Sequence, residues 1–150
     1  MDHYGFYTGK IFDAYEYLGA HIEGGGVTFR TFAPAAGRVA LIGEFNGWQE
    51  TPMDRVHDGN FWACHMDNAK PGTMYKYRIY GRDGNYFIDH CDPYGYGMEL
   101  RPACASIIRD MDAYQFSDEE WMRTRTDCKN KPLNIYEIHF GSFRKPGPEA

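Results

Sequence analysis

From Val27 onward, hydrophobic and polar positions alternate with a period of two in a series of short stretches. That spacing lays one side of a strand against a core. "VTFRTFA" sets Val27, Phe29, Thr31 and Ala33 on one side and Thr28, Arg30 and Phe32 on the other. "RVALIGEF" is a more uniformly apolar strand, stopped by the Asn-Gly turn of "NGW". "NFWACHM" alternates again, with Trp62 expected in the core. "TMYKYRIY" follows the turn "KPG". If Tyr75 and Tyr77 face inward with Phe29 and Leu41, Lys76 faces solvent. "GRDG" predicts a hairpin whose returning strand is "NYFID", "CDPYGYGMELRP" is irregular, and "ACASIIRD" predicts one more strand. About six or seven short strands, with no strand–helix alternation before residue 110, predict an all-β fold, an antiparallel β-sandwich.

The ends of the chain read differently. Residues 1–22 are a lead-in with one short helix around Asp13–Leu18, stopped by Gly19. Gly24–Gly26 read as a flexible connector. No Gly-Lys-Ser/Thr follows them and a strand comes next, so a phosphate loop is not supported. The sandwich occupies 23–112. Residues 113–133 form a linker with a short C-terminal helix: Ser117 is the expected N-cap, and Glu120 three places on has capping-box spacing. Acids lead and arginines follow, as the helix dipole favours. "NKP" ends that helix, and "LNIYEIHFGSF", which leads into the segment 134–150, predicts a new strand over Tyr136–Phe140.

Composition narrows the function classes. Net charge is −5 with no Lys/Arg cluster, which argues against nucleic acid as a partner. No apolar run approaches the ~20 residues of a membrane span, and no basic-then-apolar signal opens the chain. Cys64, Cys91, Cys104 and Cys128 form no Cys-x-x-Cys pair, so they read as free thiols of a cytoplasmic protein rather than as a zinc site. Asp89, His90, Cys91 and Asp92 cluster in sequence, but Asp-Pro is a turn initiator and the spacing fits no common ligand set. No metal or cofactor is expected. Glu119 and Glu120 are adjacent on a helix and point about 100° apart. His3, His21, His57, His65 and His139 have no nucleophile or carboxylate partner at a recognisable spacing, so they read as structural or solvated. Aromatics make up 17% of the chain, which suits both pleated strands and flat platforms for sugars.

Several stretches carry a family resemblance. "GVTFRTFAPAAGRVALIGEFNGW" and "YKYRIYGRDGNYFIDHCDPYGYGMELRPACAS" resemble the glycogen-associated sandwich of carbohydrate-binding module family 48. "AYEYLGAH" resembles the segment before that sandwich in 1,4-α-glucan branching enzymes. "IYEIHFGSFR" resembles the first strand of their glycoside hydrolase family 13 catalytic barrel. Debranching enzymes and trehalose-forming hydrolases share the sandwich, but "ELRP…AS" together with "YEIHFGSF" favours the branching enzymes.

The resemblance implies an immunoglobulin-like sandwich, α-1,4-glucan (glycogen or starch-like chains) as ligand, and the enzyme's own catalytic barrel as partner. Residues 134–150 would be the truncated start of that barrel. The strand over Ile135–Phe140 would then pack on the sandwich or fray, and 141–150 would be poorly ordered. The parent would transfer glucan segments to form α-1,6 branches in glycogen biosynthesis. Its retaining carboxylate pair would lie on later barrel strands, so no catalytic residue is assigned and the fragment is expected to be inactive alone. Trp48 in "FNGW" and Lys76 in "YKY" match the tryptophan and lysine of glucan-binding relatives. Tyr86 falls where a second tryptophan is expected, and the smaller ring predicts weaker stacking. An asparagine expected near the last strand is not evident around Ala103–Ser106. These three residues either bind glucan or leave the module as a scaffold packed on the barrel. Arg101, in the irregular stretch, is a candidate anchor to that barrel. The alternatives from other classes are a stand-alone glycogen-binding regulatory module and the same module of a debranching hydrolase.

Overall fold

The computed structural model describes residues 1–143 and 147. The chain divides into two units, Met1–Ala113 and Tyr114–Ala150. The strands of the first unit are β1 (Gly19–Glu23), β2 (Gly26–Phe32), β3 (Arg38–Gly43), β4 (Thr51–Pro52), β5 (Asp54–Val56), β6 (Phe61–Met66), β7 (Met74–Tyr80), β8 (Phe87–His90), β9 (Gly97–Met98) and β10 (Ser106–Ile107). Two antiparallel sheets form a sandwich. One has the order β1-β2-β6-β5; the other has the order β4-β3-β7-β10-β9, with β8 also on β7.

The alternation read from sequence orients these strands. Val27, Phe29 and Thr31 are buried from the first sheet; Val39, Leu41, Tyr75 and Tyr77 are buried from the second. The rings of Phe29 and Tyr75 meet at 4.9 Å, and Trp62 lies in the same core. A buried polar cluster sits among these rings. Asp92 accepts hydrogen bonds from the hydroxyls of Tyr75 (2.6 Å) and Tyr77 (3.0 Å) and from the Tyr94 backbone N–H (2.9 Å). Asp89 instead lies on β8, on the outer side of the sheet opposite Arg78, and forms an ion pair with it. The two aspartates, three positions apart in sequence, therefore have separate partners.

The first 22 residues differ from the lead-in expected. Gly24 and Gly25 both have positive φ (61° and 83°), the conformation of a two-residue hairpin turn. They join β1 to β2 with Glu23 opposite Gly26. The connector is therefore a tight turn, and β1 belongs to the sheet. Because the strand already starts at Gly19, only a 3-10 turn, Ala14–Glu16, fits where a helix was expected. A helix does form earlier, as α1 (His3–Tyr7), with the Asp2 carboxylate capping the Gly5 N–H at 3.0 Å. It covers the outer side of the first sheet, where Phe32 and Phe61 pair across β2 and β6.

The second unit holds α2 (Glu119–Thr124), a 3-10 stretch at Arg125–Asn130, and α3 (Phe140–Phe143). The N-cap of α2 is Asp118, not Ser117, and no side chain caps it. Glu120 pairs forward with Arg123 instead of reaching back, so the capping box is not made. The strand expected over Tyr136–Phe140 does not form. Residues 132–139 have no regular structure, and Leu133, Ile135 and Tyr136 are exposed. A strand requires a neighbour to satisfy its backbone groups, and no described strand pairs with these residues. The expectation of poor order over 141–150 falls largely outside the described residues; 141–143 belong to α3. Cys64, Cys91 and Cys104 are free thiols, and Cys128 falls outside the described side chains. No described helix is long and apolar enough to cross a membrane.

Candidate functional site

The chain turns sharply after β3. Gly47 lies at φ 61°, and Trp48 follows at φ 61°, a left-handed conformation that is rare for a bulky residue and costs energy to hold. Asn46 supplies the brace. Its Oδ1 accepts from the Gly43 N–H at 2.9 Å, and its Nδ2 donates to the Leu41 carbonyl at 3.1 Å and to Thr51 Oγ1 at 3.0 Å. The Trp48 N–H donates to the Gly43 carbonyl at 2.7 Å. Trp48 is 39% exposed. Asn46→Ala removes three bonds from a tight loop and is expected to cost about 1–3 kcal/mol, measured by urea denaturation of the chain.

Lys76 stands beside this loop. It pairs with Ile42 across β3 and β7, next to the Gly43–Tyr75 pair. Lys76, Arg78 and Tyr80 take the outer side of β7, because Tyr75 and Tyr77 take the inner one. Paired strand residues share a side, so Phe87, opposite Tyr80, and Asp89, opposite Arg78, join them from β8. Arg38, opposite Tyr80, joins from β3.

The middle of this face is an ion-pair network. Arg78 is bidentate to Asp89, at 2.7 and 2.9 Å, and reaches Glu50 at 3.2 Å. Glu50 also takes Arg38 at 2.8 Å and the Tyr80 hydroxyl. The Arg78 guanidinium lies 4.3 Å from the Phe87 ring centroid, and that of Arg38 lies 3.8 Å from the Tyr80 ring. Arg78 holds the Asp89 carboxyl below its usual range against burial, with Lys76 adding to the same field. The Tyr80 hydroxyl does the same for Glu50, aided by Arg38 and Arg78.

Of the three residues singled out from sequence, Trp48 and Lys76 share one end of this sheet, while Tyr86 does not share their face. The Gly81 N–H donates to the Tyr86 carbonyl at 3.2 Å, which continues the β7–β8 register by one step and turns Tyr86 to the side of Ile79 and Ile88. A Cβ on Gly81 would lie 2.6 Å from the Tyr86 ring. Tyr86 lines a cavity of about 310 Å³ with Ala33–Ala36, Ile79, Ile88 and His90. The exposed aromatic on the Lys76 face is Phe87. Strand alternation in "NYFID" separates Phe87 from Tyr86, and that was the signal available for finding it.

Comparison with known proteins fits this geometry. The family model for carbohydrate-binding module 48 (isoamylase N-terminal domain) matches residues 17–95. A 1,4-alpha-glucan branching enzyme of Francisella tularensis subsp. novicida is 40% identical over 95% of this chain, which spans 23% of that relative's length. Among solved structures, a mutant of PulA from Klebsiella pneumoniae in complex with maltotriose covers 62% of the chain at TM-score 0.53 and 24% identity, the match taking up 11% of that chain. A pullulanase from Bacillus acidopullulyticus covers 69% at TM-score 0.55 and 20% identity, over 13% of its own length. These two likenesses carry the fold. With two antiparallel sheets in place and the family's segment spanning β1 to β8, the chain belongs to the carbohydrate-binding module 48 family.

Proposed function

We propose that this chain is the glucan-associated sandwich of a cytoplasmic 1,4-α-glucan branching enzyme, and that it holds or positions α-1,4-glucan for that enzyme's catalytic barrel. The 40% identity along 95% of the chain supports the parentage. The observation that carries glucan binding is Trp48: a half-exposed indole kept in a left-handed turn by the three bonds of Asn46, with Lys76 beside it. A turn has no structural need for tryptophan at such a position, whereas a flat ring fixed before the ligand arrives loses little entropy on stacking against a sugar. Lys76 supplies a donor for sugar hydroxyls at the same end. No residue of the chain is given a catalytic role.

The test is a calorimetric titration of the full 150-residue chain with maltoheptaose, alongside Trp48→Ala. Saturable binding by the wild type, weakened at least tenfold in the variant, is the expected result. A folded wild type that takes up no heat at millimolar sugar would end the binding proposal and leave the module as a scaffold for the barrel.

A further inference from the structure

We propose that the second aromatic of the glucan strip is Phe87, reached from Trp48 and Lys76 across Arg78, and that Tyr86 stands outside the strip. This inference rests on the reading of Trp48 as a glucan platform.

Three observations lead to it. The β7–β8 register places Phe87 opposite Tyr80 and Asp89 opposite Arg78, on the side from which Lys76 emerges. The same register turns Tyr86 to the other side, over Gly81 and into the cavity with Ile79 and Ile88. Phe87 is 49% exposed although it is an apolar residue on a sheet face; neither the core nor α1 covers it.

The surroundings of Phe87 hold the ring in a fixed orientation. Arg78 lies on one face of it and is itself held at both ends, by Asp89 and Glu50. The Tyr80 ring stands 5.4 Å away at 49°. Such a ring is preorganised, so a sugar stacking on it does not have to order it. The carboxylates beside it are not saturated. Each Asp89 oxygen takes one Arg78 N–H, and a carboxylate has about four lone-pair sites, so acceptors remain for sugar hydroxyls. Lys76 to Tyr80 is four residues of strand, about 13 Å. A ligand touching both ends must therefore be an extended oligosaccharide, which fits an α-1,4-glucan chain better than a single sugar. Fixed polar groups flanked by rings at both ends match the alternating apolar faces and hydroxyl edges of such a chain.

The experiment is the same maltoheptaose titration with Phe87→Leu, Phe87→Trp and Tyr86→Ala, each checked by thermal melting. Leucine keeps apolar volume on the sheet but removes the ring. Expected results are a loss of about five- to tenfold in affinity for Phe87→Leu, equal or tighter binding for Phe87→Trp, and a change under about twofold for Tyr86→Ala. The proposal is overturned if Trp48→Ala abolishes binding while Phe87→Leu binds like wild type, or if Tyr86→Ala carries the loss instead. A wild type that fails to bind at all ends the proposed function along with it, so the two failures are distinguishable.

Discussion

Asp92→Ala is expected to cost the sandwich about 3–5 kcal/mol, enough to leave much of the chain unfolded at 37 °C. Asp92 is buried between the sheets and takes the hydroxyls of Tyr75 and Tyr77, both fully buried. Burial first, and then the Asp92 charge, push both phenols above their usual range, so they remain neutral donors. Alanine leaves two hydroxyls in an apolar core without an acceptor and frees the Tyr94 N–H. Asp92→Asn keeps a carbonyl acceptor and is expected to lose far less. Its comparison with the wild type should also depend on pH. Burial raises the Asp92 pKa above the ordinary carboxyl value, against the opposing bonds from Tyr75, Tyr94 and Tyr77. A raised folded pKa favours the folded state most at low pH, and that contribution is lost as pH rises through the folded value. Wild type should therefore gain on Asp92→Asn as pH falls from 7 toward 4. Glu50 and Asp89 act with the opposite sign: their pKa values are lowered, so their contribution is present above the ordinary carboxyl range and fades as pH falls through the lowered values. Urea denaturation of wild type, Asp92→Asn and Asp92→Ala at several pH values measures all of this. An Asp92→Ala chain within 1 kcal/mol of wild type would mean that the two hydroxyls find other partners.

The parts of this fold legible in sequence are those set by local alternation. β2, β3, β6 and β7 each carry a period of two or a continuous apolar run; burial alternates along β2 and the first half of β7, whereas in β3 and at the start of β6 it reaches both sides of the strand. β1 was hidden because Gly24 and Gly25 suit a flexible connector and a tight hairpin equally, and only pairing with β2 separates the two. Helix α1 has five residues, too few for a 3.6-residue period to show, so its formation depends on the surface it covers. The same division runs through the candidate site. The placement of Trp48 in a turn and of Lys76 on the outer side of β7 was readable because each follows from one turn or one strand. The choice between Tyr86 and Phe87 depends on the register of a hairpin whose connection spans residues 81–86, and a one-residue slip there exchanges the two faces. Beyond residue 113 local pattern was least informative. The apolar run "IYEIHF" has strand character, yet a strand exists only where a neighbour pairs with it.

Phe61→Ala is the second large effect, and it tests whether α1 is part of the folded unit. Phe61 is fully buried on the outer side of the first sheet. Its ring meets those of His3 (4.9 Å), Phe32 (5.0 Å), Phe6 (5.5 Å), Tyr7 (6.1 Å) and His57 (6.1 Å). His57 reaches this cluster from φ 57° and stacks on His3 at 3.5 Å, and the Tyr7 hydroxyl donates to Asp58 at 2.6 Å. Every one of these contacts closes over Phe61, so removing it is expected to cost about 3–5 kcal/mol. The loss should be uneven. Trp62 faces the opposite side of the same strand and keeps its place in the core with Phe29 and Tyr75. Hydrogen exchange should therefore show lost protection in residues 3–7 while β3 and β7 stay protected. Equal loss across both sheets would show that the cluster stabilises the whole sandwich rather than its cover. At temperatures where the variant stays folded, maltoheptaose affinity should match the wild type. The Lys76 face lies on the second sheet, with the full core between it and α1, and no residue of the Phe61 cluster belongs to the proposed glucan strip.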